Sequence, residues 1–168
     1  RNLLLPLKLH ALGAADGTVG LVTSISLASE VVLAPAAGYL MDQCGRKASG
    51  VPALLVGAGG FAFLAVSSGL REASAAAVVL GAGVGLASGL LMTLGADACP
   101  EDSRSAFFGL YKSATASSNV AGPLLIGLIS DSFSVDVAAL TMCGAVLTSA
   151  VVYAFLCEET LQRPQVLL

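Results

Sequence analysis

Charged residues are scarce in this sequence, and the scarcity restricts the kind of solvent its surface can face. Only 11% of the 168 residues are charged, whereas an ordinary soluble domain carries about 25%. Hydrophobic residues make up 56% of the chain. The mean hydropathy of +0.87 fits helices that face lipid on all sides better than helices with one apolar stripe.

Cations, histidines and suitably spaced cysteines are also in short supply. The net charge is −3 and no cluster of lysine and arginine occurs, which argues against nucleic acid as a partner, because its binding depends on cationic contacts with phosphate. His10 is the single histidine, and no Ser-His-Asp, paired-carboxylate or metal-ligand pattern is present. We therefore expect no enzyme activity, no metal and no cofactor. The cysteines are spaced neither as metal ligands nor as a disulfide framework, and we expect all four to be inert: Cys44, Cys99, Cys143 and Cys157.

Five runs of the sequence are apolar and long enough to cross a bilayer, since about 20 apolar residues in a helix span the hydrocarbon core. We predict an all-α fold, a multi-span transmembrane helix bundle in a single domain, 1–168. It has five full spans and, over residues 3–9, the tail of a sixth. The connecting loops are short, so neighbouring helices must be antiparallel. The predicted spans are 17–41, 48–70, 73–96, 106–130 and 136–157.

Cationic residues are unevenly divided between the two sets of alternate loops. The positive-inside rule predicts that the face with more of them, which includes the loop after the first span and the C-terminus, lies in the cytosol. One face has Arg46, Lys47, Arg104, Lys112 and Arg163, and the other has Arg1, Lys8 and Arg71.

A charged loop joins the first two predicted spans. An aspartate at a helix C-terminus is unfavourable against the helix dipole, so Asp42 needs a cation such as Arg46 or the N-terminus of a neighbouring helix. Gly38, one turn earlier, would let such a helix approach closely. Gly45 supplies a left-handed turn, and Lys47 together with Arg46 would anchor the next span at the lipid headgroups.

The same loop reads Gly-Tyr-Leu-Met-Asp-Gln-Cys-Gly-Arg-Lys and resembles the G-x-x-x-D-R-x-G-R-R/K motif of the major facilitator superfamily, with Gln43 where the family usually has Arg. The similarity continues through residues 81–97 and extends over 38–159. It implies half of a major facilitator fold, in which this loop acts as a gating latch that is made and broken during transport. An ordinary positive-inside turn is the alternative interpretation.

The position of the chain within such a transporter follows from a missing arginine. The fourth span of the N-terminal half normally holds an Arg just before its glycines, but residues 75–80 are wholly uncharged. The run through Pro52 is also similar to the C-terminal repeat of drug-exporter relatives. Both features favour the C-terminal half, spans eight to twelve, and make the N-terminal half a missing partner.

Glycines recur at every fourth position in the third predicted span, at Gly81, Gly85 and Gly89. Such a stripe lets two helix backbones pack closely in lipid. A phosphate-binding loop is the alternative, but neither a following Lys-Ser/Thr nor a preceding strand is present. We predict helix packing.

Gly122 and Pro123 lie in the middle of the fourth predicted span, where a proline removes one backbone hydrogen bond and should bend or loosen the helix. The segment resembles the antiporter signature of the superfamily's fifth span, with Ser118 and Ile126 in place of two of its glycines. Exchange transport and a purely structural kink both remain open.

Glu30 is the one carboxylate deep within a predicted span, close to the bilayer midplane. Burial of the ionised form is expensive, so the group should be protonated, paired or exposed to a wet cavity. We hypothesise a role in proton coupling or substrate binding, against the alternative of a neutral or snorkelling glutamate. Asn119 is a second candidate for contact with substrate, and lesser ones, which serve more often as contacts between helices, are Ser24, Ser26, Thr93, Ser117 and Ser118.

The resemblance implies secondary active transport of a small solute by rocking of two halves around a midplane site. Proton-coupled export is the favoured branch, with membrane lipid, a small-molecule substrate and the missing N-terminal half as partners. A cavity between halves is incomplete in one half, so we expect no transport by the chain alone. The rival hypothesis is a truncated, non-transporting membrane module or assembly partner.

Overall fold

The computed structural model describes residues 1–100 and 103–156. Every regular element in these residues is helical, which confirms the prediction of an all-α helix bundle. The helices are α1 (Leu4–Ala11), α2 (Asp16–Cys44), α3 (Arg46–Val66), α4 (Leu70–Leu86), α5 (Leu90–Asp97), α6 (Arg104–Ser132) and α7 (Val135–Leu156).

Four helices in the described part of the chain are long and apolar enough to cross a membrane, namely α2, α3, α7 and the pair α4 and α5 taken together. The fourth predicted span forms α6, whose 29 residues are sufficient in length but too polar to belong to this set. The excess polarity comes from the hydroxyl and amide side chains of residues 113–119. Four of the five predicted spans are thus apolar helices of spanning length in the described residues, and the membrane crossing of α6 stays a prediction.

The helices do not pack in the order in which they follow one another along the chain. Helix α4 packs between α2 and α3, α3 also packs along α7, and the short α1 contacts α2, α4 and α7. Because the connections are short, successive long helices are antiparallel. We call the end where α2, α4 and α7 begin the Lys8 end, and the end where α2, α5 and α7 finish the Arg46 end.

The apolar core lies at the Lys8 end. Leucines of α1 insert among small side chains of α4 and α7, and alanines at these contacts let the helices approach closely. The buried cluster consists of Leu4, Leu5, Leu9, Val19, Val22, Leu64, Ala65, Ala73, Ala76, Ala77, Leu80, Ile126, Ala138 and Ala139.

The third predicted span is interrupted. It was expected to be one helix over residues 73–96, but α4 ends at Leu86 and α5 begins at Leu90. Gly89, at the break, has φ +80°, a left-handed conformation that residues with a Cβ adopt only at a cost.

Candidate functional site

Arg46 is the centre of a polar cluster that we call the latch, formed by Met41, Asp42, Arg46 and Asp97. Its Nη1 donates to the Met41 carbonyl oxygen at 3.0 Å and lies 3.5 Å from Asp42 Oδ1. Its Nε donates to Asp97 Oδ2 at 3.2 Å. The Arg46 side chain is only 13% exposed, so one arginine joins the ends of α2 and α5 to the start of α3.

The rest of the predicted gating loop is only partly involved in the latch. Gly45 has φ +104° and separates α2 from α3 without a longer connection. Lys47 Nζ donates to the Ala154 carbonyl oxygen at 3.0 Å, so it contacts the end of α7, where free carbonyls favour a cation. Among the described residues nothing lies within 4 Å of a Cβ added at Gly38, so none of the helices in that part of the chain makes the close approach expected there.

Asp97 is the latch residue that the sequence reasoning did not assign. It is the last residue of α5, and this placement is as unfavourable against the helix dipole as that of Asp42. The same signal could have identified both carboxylates. The sequence does not indicate that α2 and α5 end next to each other, so it could not predict that Arg46 contacts both carboxylates.

Two of the three glycines in the predicted stripe lie against α2. A Cβ added at Gly85 would be 2.7 Å from the Glu30 carbonyl oxygen, and one at Gly81 would overlap the carbonyl of Ser26. Gly89 differs, because its nearest neighbour would be Met41 Cε at 3.7 Å. The prediction that Gly89 packs helices is thus corrected, since its left-handed conformation breaks the helix instead.

The opposite face of α4 is held in the same way, by a glycine that the stripe did not include. A Cβ on Gly83 would lie 2.7 Å from the Gly57 nitrogen of α3. Helix α4 therefore contacts backbone on both sides, and it cannot slide past either neighbour without a clash.

Glu30 is paired. Its Oε2 accepts a hydrogen bond from Arg1 Nη1 at 2.6 Å, and the two side chains are 29% and 12% exposed. Of the three possibilities raised by the sequence, an ion pair is the one that the structure contains. Arg1 had been assigned to a loop, and this contact of its side chain with α2 inside the bundle is a correction.

Lys8 was likewise assigned to a loop and is buried. Its Nζ pairs with Asp136 at the start of α7, and the lysine side chain is 6% exposed. The pair ties α1 to α7 at the Lys8 end. Two of the three cations counted on the minority face are therefore committed to contacts inside the bundle.

A cavity of about 580 Å³ lies between residues 1–3, which precede α1, and the helices α4, α6 and α7. Asn119 and Ser118 are polar residues of its wall, which Gly122 and Pro123 also line. Glu30 does not line it. The structure thus connects the two candidates for substrate contact indirectly, through Arg1.

Helix α6 continues through the predicted kink without interruption from Arg104 to Ser132. A Cβ on Gly122 would meet nothing within 4 Å, so this glycine lines the cavity wall and does not pack against a helix. Pro123 has no backbone N–H and so removes one hydrogen bond of α6, but the helix continues on both sides of it.

The lesser candidates mostly bond within their own helices. Ser24, Thr93 and Ser117 donate to carbonyls one turn earlier. Ser26 Oγ is buried and has no hydrogen-bond partner in the part of the chain that the structure describes. Ser118 is the hydroxyl of this group that lines the large cavity.

Four helices in the described residues have the length and composition of membrane spans, and they enclose a charged latch and a cavity. The chain matches the family model of the Major Facilitator Superfamily over residues 2–166, and it belongs to that superfamily. The family is one of membrane transporters and not of enzymes, so transport of small solutes is the class of function. A comparison with curated proteins found no match.

Proposed function

We propose that the chain is the C-terminal half of a proton-coupled exporter of small amphipathic solutes, similar to drug-exporter members of the superfamily, and that it works together with an N-terminal half. The observation that carries the proposal is the latch, because one arginine holds three helix ends together through contacts that water can replace. The Arg46 end is taken as cytosolic, as the distribution of cations predicts.

The latch has the properties of a two-state element. Asp42 and Asp97 both end helices, where a negative charge is unfavourable without a cation. If the ends of α2 and α5 separate, Arg46 cannot reach both carboxylates, and the exposed groups must be hydrated. Opening is therefore coupled to water entry at the Arg46 end, as alternating access requires.

The surface of α6 supports the presence of a second half. Ile126 is the buried residue of this helix, and Ser117, Ser118 and Asn119 are exposed. Polar groups left in contact with hydrocarbon are costly. They need either another protein surface or a wet cavity, and the space between two halves supplies both.

Proton coupling is proposed for the Arg1–Glu30 pair. It lies near the middle of α2, where one ionisable group exchanging a proton changes the charge at the bilayer midplane. Protonation of Glu30 would remove the partner of the Arg1 guanidinium and free it for another anion. The pair therefore links a proton to the charge state of the cavity that Arg1 lines.

The proposal is tested in vesicles that contain both halves, with a pH-sensitive dye inside and a panel of amphipathic solutes added outside. We expect solute-dependent proton movement with both halves and none with the chain alone. Arg46→Ala should abolish the movement, whereas Lys112→Ala, a charge change on exposed α6, should leave it within twofold. Proton movement by Arg46→Ala equal to that of the parent protein would contradict the role of the latch.

A non-transporting assembly module is the second candidate, since the exposed polar groups of α6 would equally suit a surface that binds another membrane protein. In that case both halves would associate in detergent, but no solute would cause proton movement in vesicles.

A further inference from the structure

A second, smaller cavity lies between α3, α4 and α7. It has a volume of about 180 Å³ and an almost wholly apolar lining, which includes Ala53, Leu54, Gly57, Phe61, Leu80 and Val146. Arg1 lines this cavity as well as the large one. The structure therefore places a guanidinium where a wide, partly polar space meets a narrow apolar one.

Arg1 is the one charged residue that borders either cavity within the described ranges 1–100 and 103–156. Its Nε donates to Asn2 Oδ1 at 3.1 Å and its Nη1 to Glu30. The Nη2 group donates to nothing in those ranges, although the side chain is only 12% exposed. A largely buried guanidinium with unused donors favours an anion with two acceptor oxygens.

From this juxtaposition we infer that the two cavities bind a small organic anion, an alkyl carboxylate whose head contacts Arg1 and whose short tail enters the apolar cavity. Binding of this anion does not depend on the proposed function. Its identification as the transported solute rests on that function. An ammonium head would be repelled by Arg1, and an alcohol would offer the guanidinium one neutral acceptor oxygen in place of two charged ones. The volume of the apolar cavity limits the tail to a few carbons.

Glu30 should oppose the binding of the anion. It holds one donor of Arg1 and supplies a second negative charge next to the proposed head group. Glu30→Gln keeps the shape of the side chain and removes that charge. We expect this variant to bind the carboxylate at least fivefold more tightly, since an Arg that is not already paired attracts an anion more strongly.

The test is calorimetric titration of the purified protein in detergent with acetate, butyrate, hexanoate, hexanol and hexylamine. We expect affinity to rise about fourfold per added methylene along the carboxylates, as burial of each group in an apolar space predicts. Hexanol and hexylamine should bind at least tenfold more weakly than hexanoate. Equal binding of hexanol and hexanoate would overturn the inference.

Variants localise the head and the tail separately. Arg1→Gln should weaken hexanoate binding at least tenfold, and Arg1→Lys should restore part of it. Gly57 lines the apolar cavity, and a Cβ there meets nothing within 4 Å, so Gly57→Leu should fill the cavity and abolish the gain from acetate to hexanoate. Gly59→Leu is the matched control, because Gly59 lies on the same helix with equally open space and outside both cavities.

Identical titrations for Gly57→Leu and Gly59→Leu would exclude the tail site, and full hexanoate affinity in Arg1→Gln would exclude the head site. The binding assay is independent of transport. Absence of hexanoate binding alongside solute-dependent proton movement would refute the anion site alone. Binding by the chain without any proton movement in vesicles with both halves would refute the proposed function and leave the site standing.

Discussion

At the Lys8 end, α1 inserts between α2, α4 and α7 and buries a continuous cluster of leucine, valine and alanine side chains. At the Arg46 end, the helices meet through hydrogen bonds and ion pairs around one arginine. The two ends differ in how readily their contacts can be exchanged for others. Packed side chains and glycine contacts allow one arrangement, whereas water can replace the partners of a guanidinium.

The difference between the packed Lys8 end and the hydrogen-bonded Arg46 end affects stability more in lipid than it would in water. Apolar side chains gain little by leaving a solvent that is itself apolar, so close packing and polar contacts hold membrane helices together. The Lys8 end has close packing over several helices. The Arg46 end also has tight glycine contacts, of Gly50 with Tyr153 and Leu90 and of Gly95 with Tyr111, but a helix there is broken at Gly89. We therefore expect stability to depend on the Lys8 half and conformational change to take place in the Arg46 half.

The largest expected effect is at the contact between α2 and α4. Gly81→Ala would place a Cβ on the carbonyl of Ser26, and both atoms are held by helical backbone. The helices must move apart, and we expect a loss of about 3 kcal/mol in the free energy of unfolding. Chemical unfolding in mixed micelles measures it, and a loss as small as that of an alanine placed in open space would show that the contact is not tight.

The next effect concerns the ion pair at the Lys8 end. Asp136→Asn leaves the buried Lys8 ammonium without its anion, whereas Lys8→Met removes the buried charge and leaves a half-exposed carboxylate. We expect Asp136→Asn to cost about 2 kcal/mol, because an unpaired buried charge is more costly than a missing pair. Lys8→Met should cost less than half as much in the same unfolding assay, and the reverse order would contradict the burial of Lys8.

A smaller effect is expected at the helix break. Gly89→Ala keeps the space, since only Met41 Cε lies near, but forces a Cβ into a left-handed conformation at a cost of about 1 kcal/mol. A continuous helix across residues 86–90 would relieve the strain and displace Asp97 from Arg46. The expected result is a modest loss of stability with a large loss of transport. Unchanged transport would show that the break is not needed.

The smallest effect is expected on α6. Gly127→Ala adds a Cβ to a helix interior with nothing within 4 Å, so the variant should be more stable by about 0.5 kcal/mol through helix propensity alone. It also serves as the control for Gly81→Ala. A loss of stability would indicate that α6 is packed in the protein as purified, for instance against the N-terminal half.

Prediction from sequence succeeded where the signal is local. Apolar runs placed the helices, and the dipole argument connected Asp42 with Arg46 four residues later. Prediction from sequence was incomplete where the contacting residue is distant along the chain. Asp97 was not assigned to the latch, and Gly83 was not seen as a contact because it lies opposite the stripe. Gly89 shares the four-residue spacing of Gly81 and Gly85, yet spacing cannot distinguish a glycine that packs from a glycine that ends a helix.

The sequence by itself determined that this chain is a bundle of membrane-crossing helices with a charged turn, because solvent preference and helix length depend on composition along the chain. The tertiary structure decided which charges meet. Their sequence positions predict that Arg1 and Lys8 are cations in loops. In the folded chain, Arg1 pairs with Glu30 and Lys8 with Asp136, which are 29 and 128 residues away. Such pairs depend on the order in which helices pack, and hydropathy carries no information about that order.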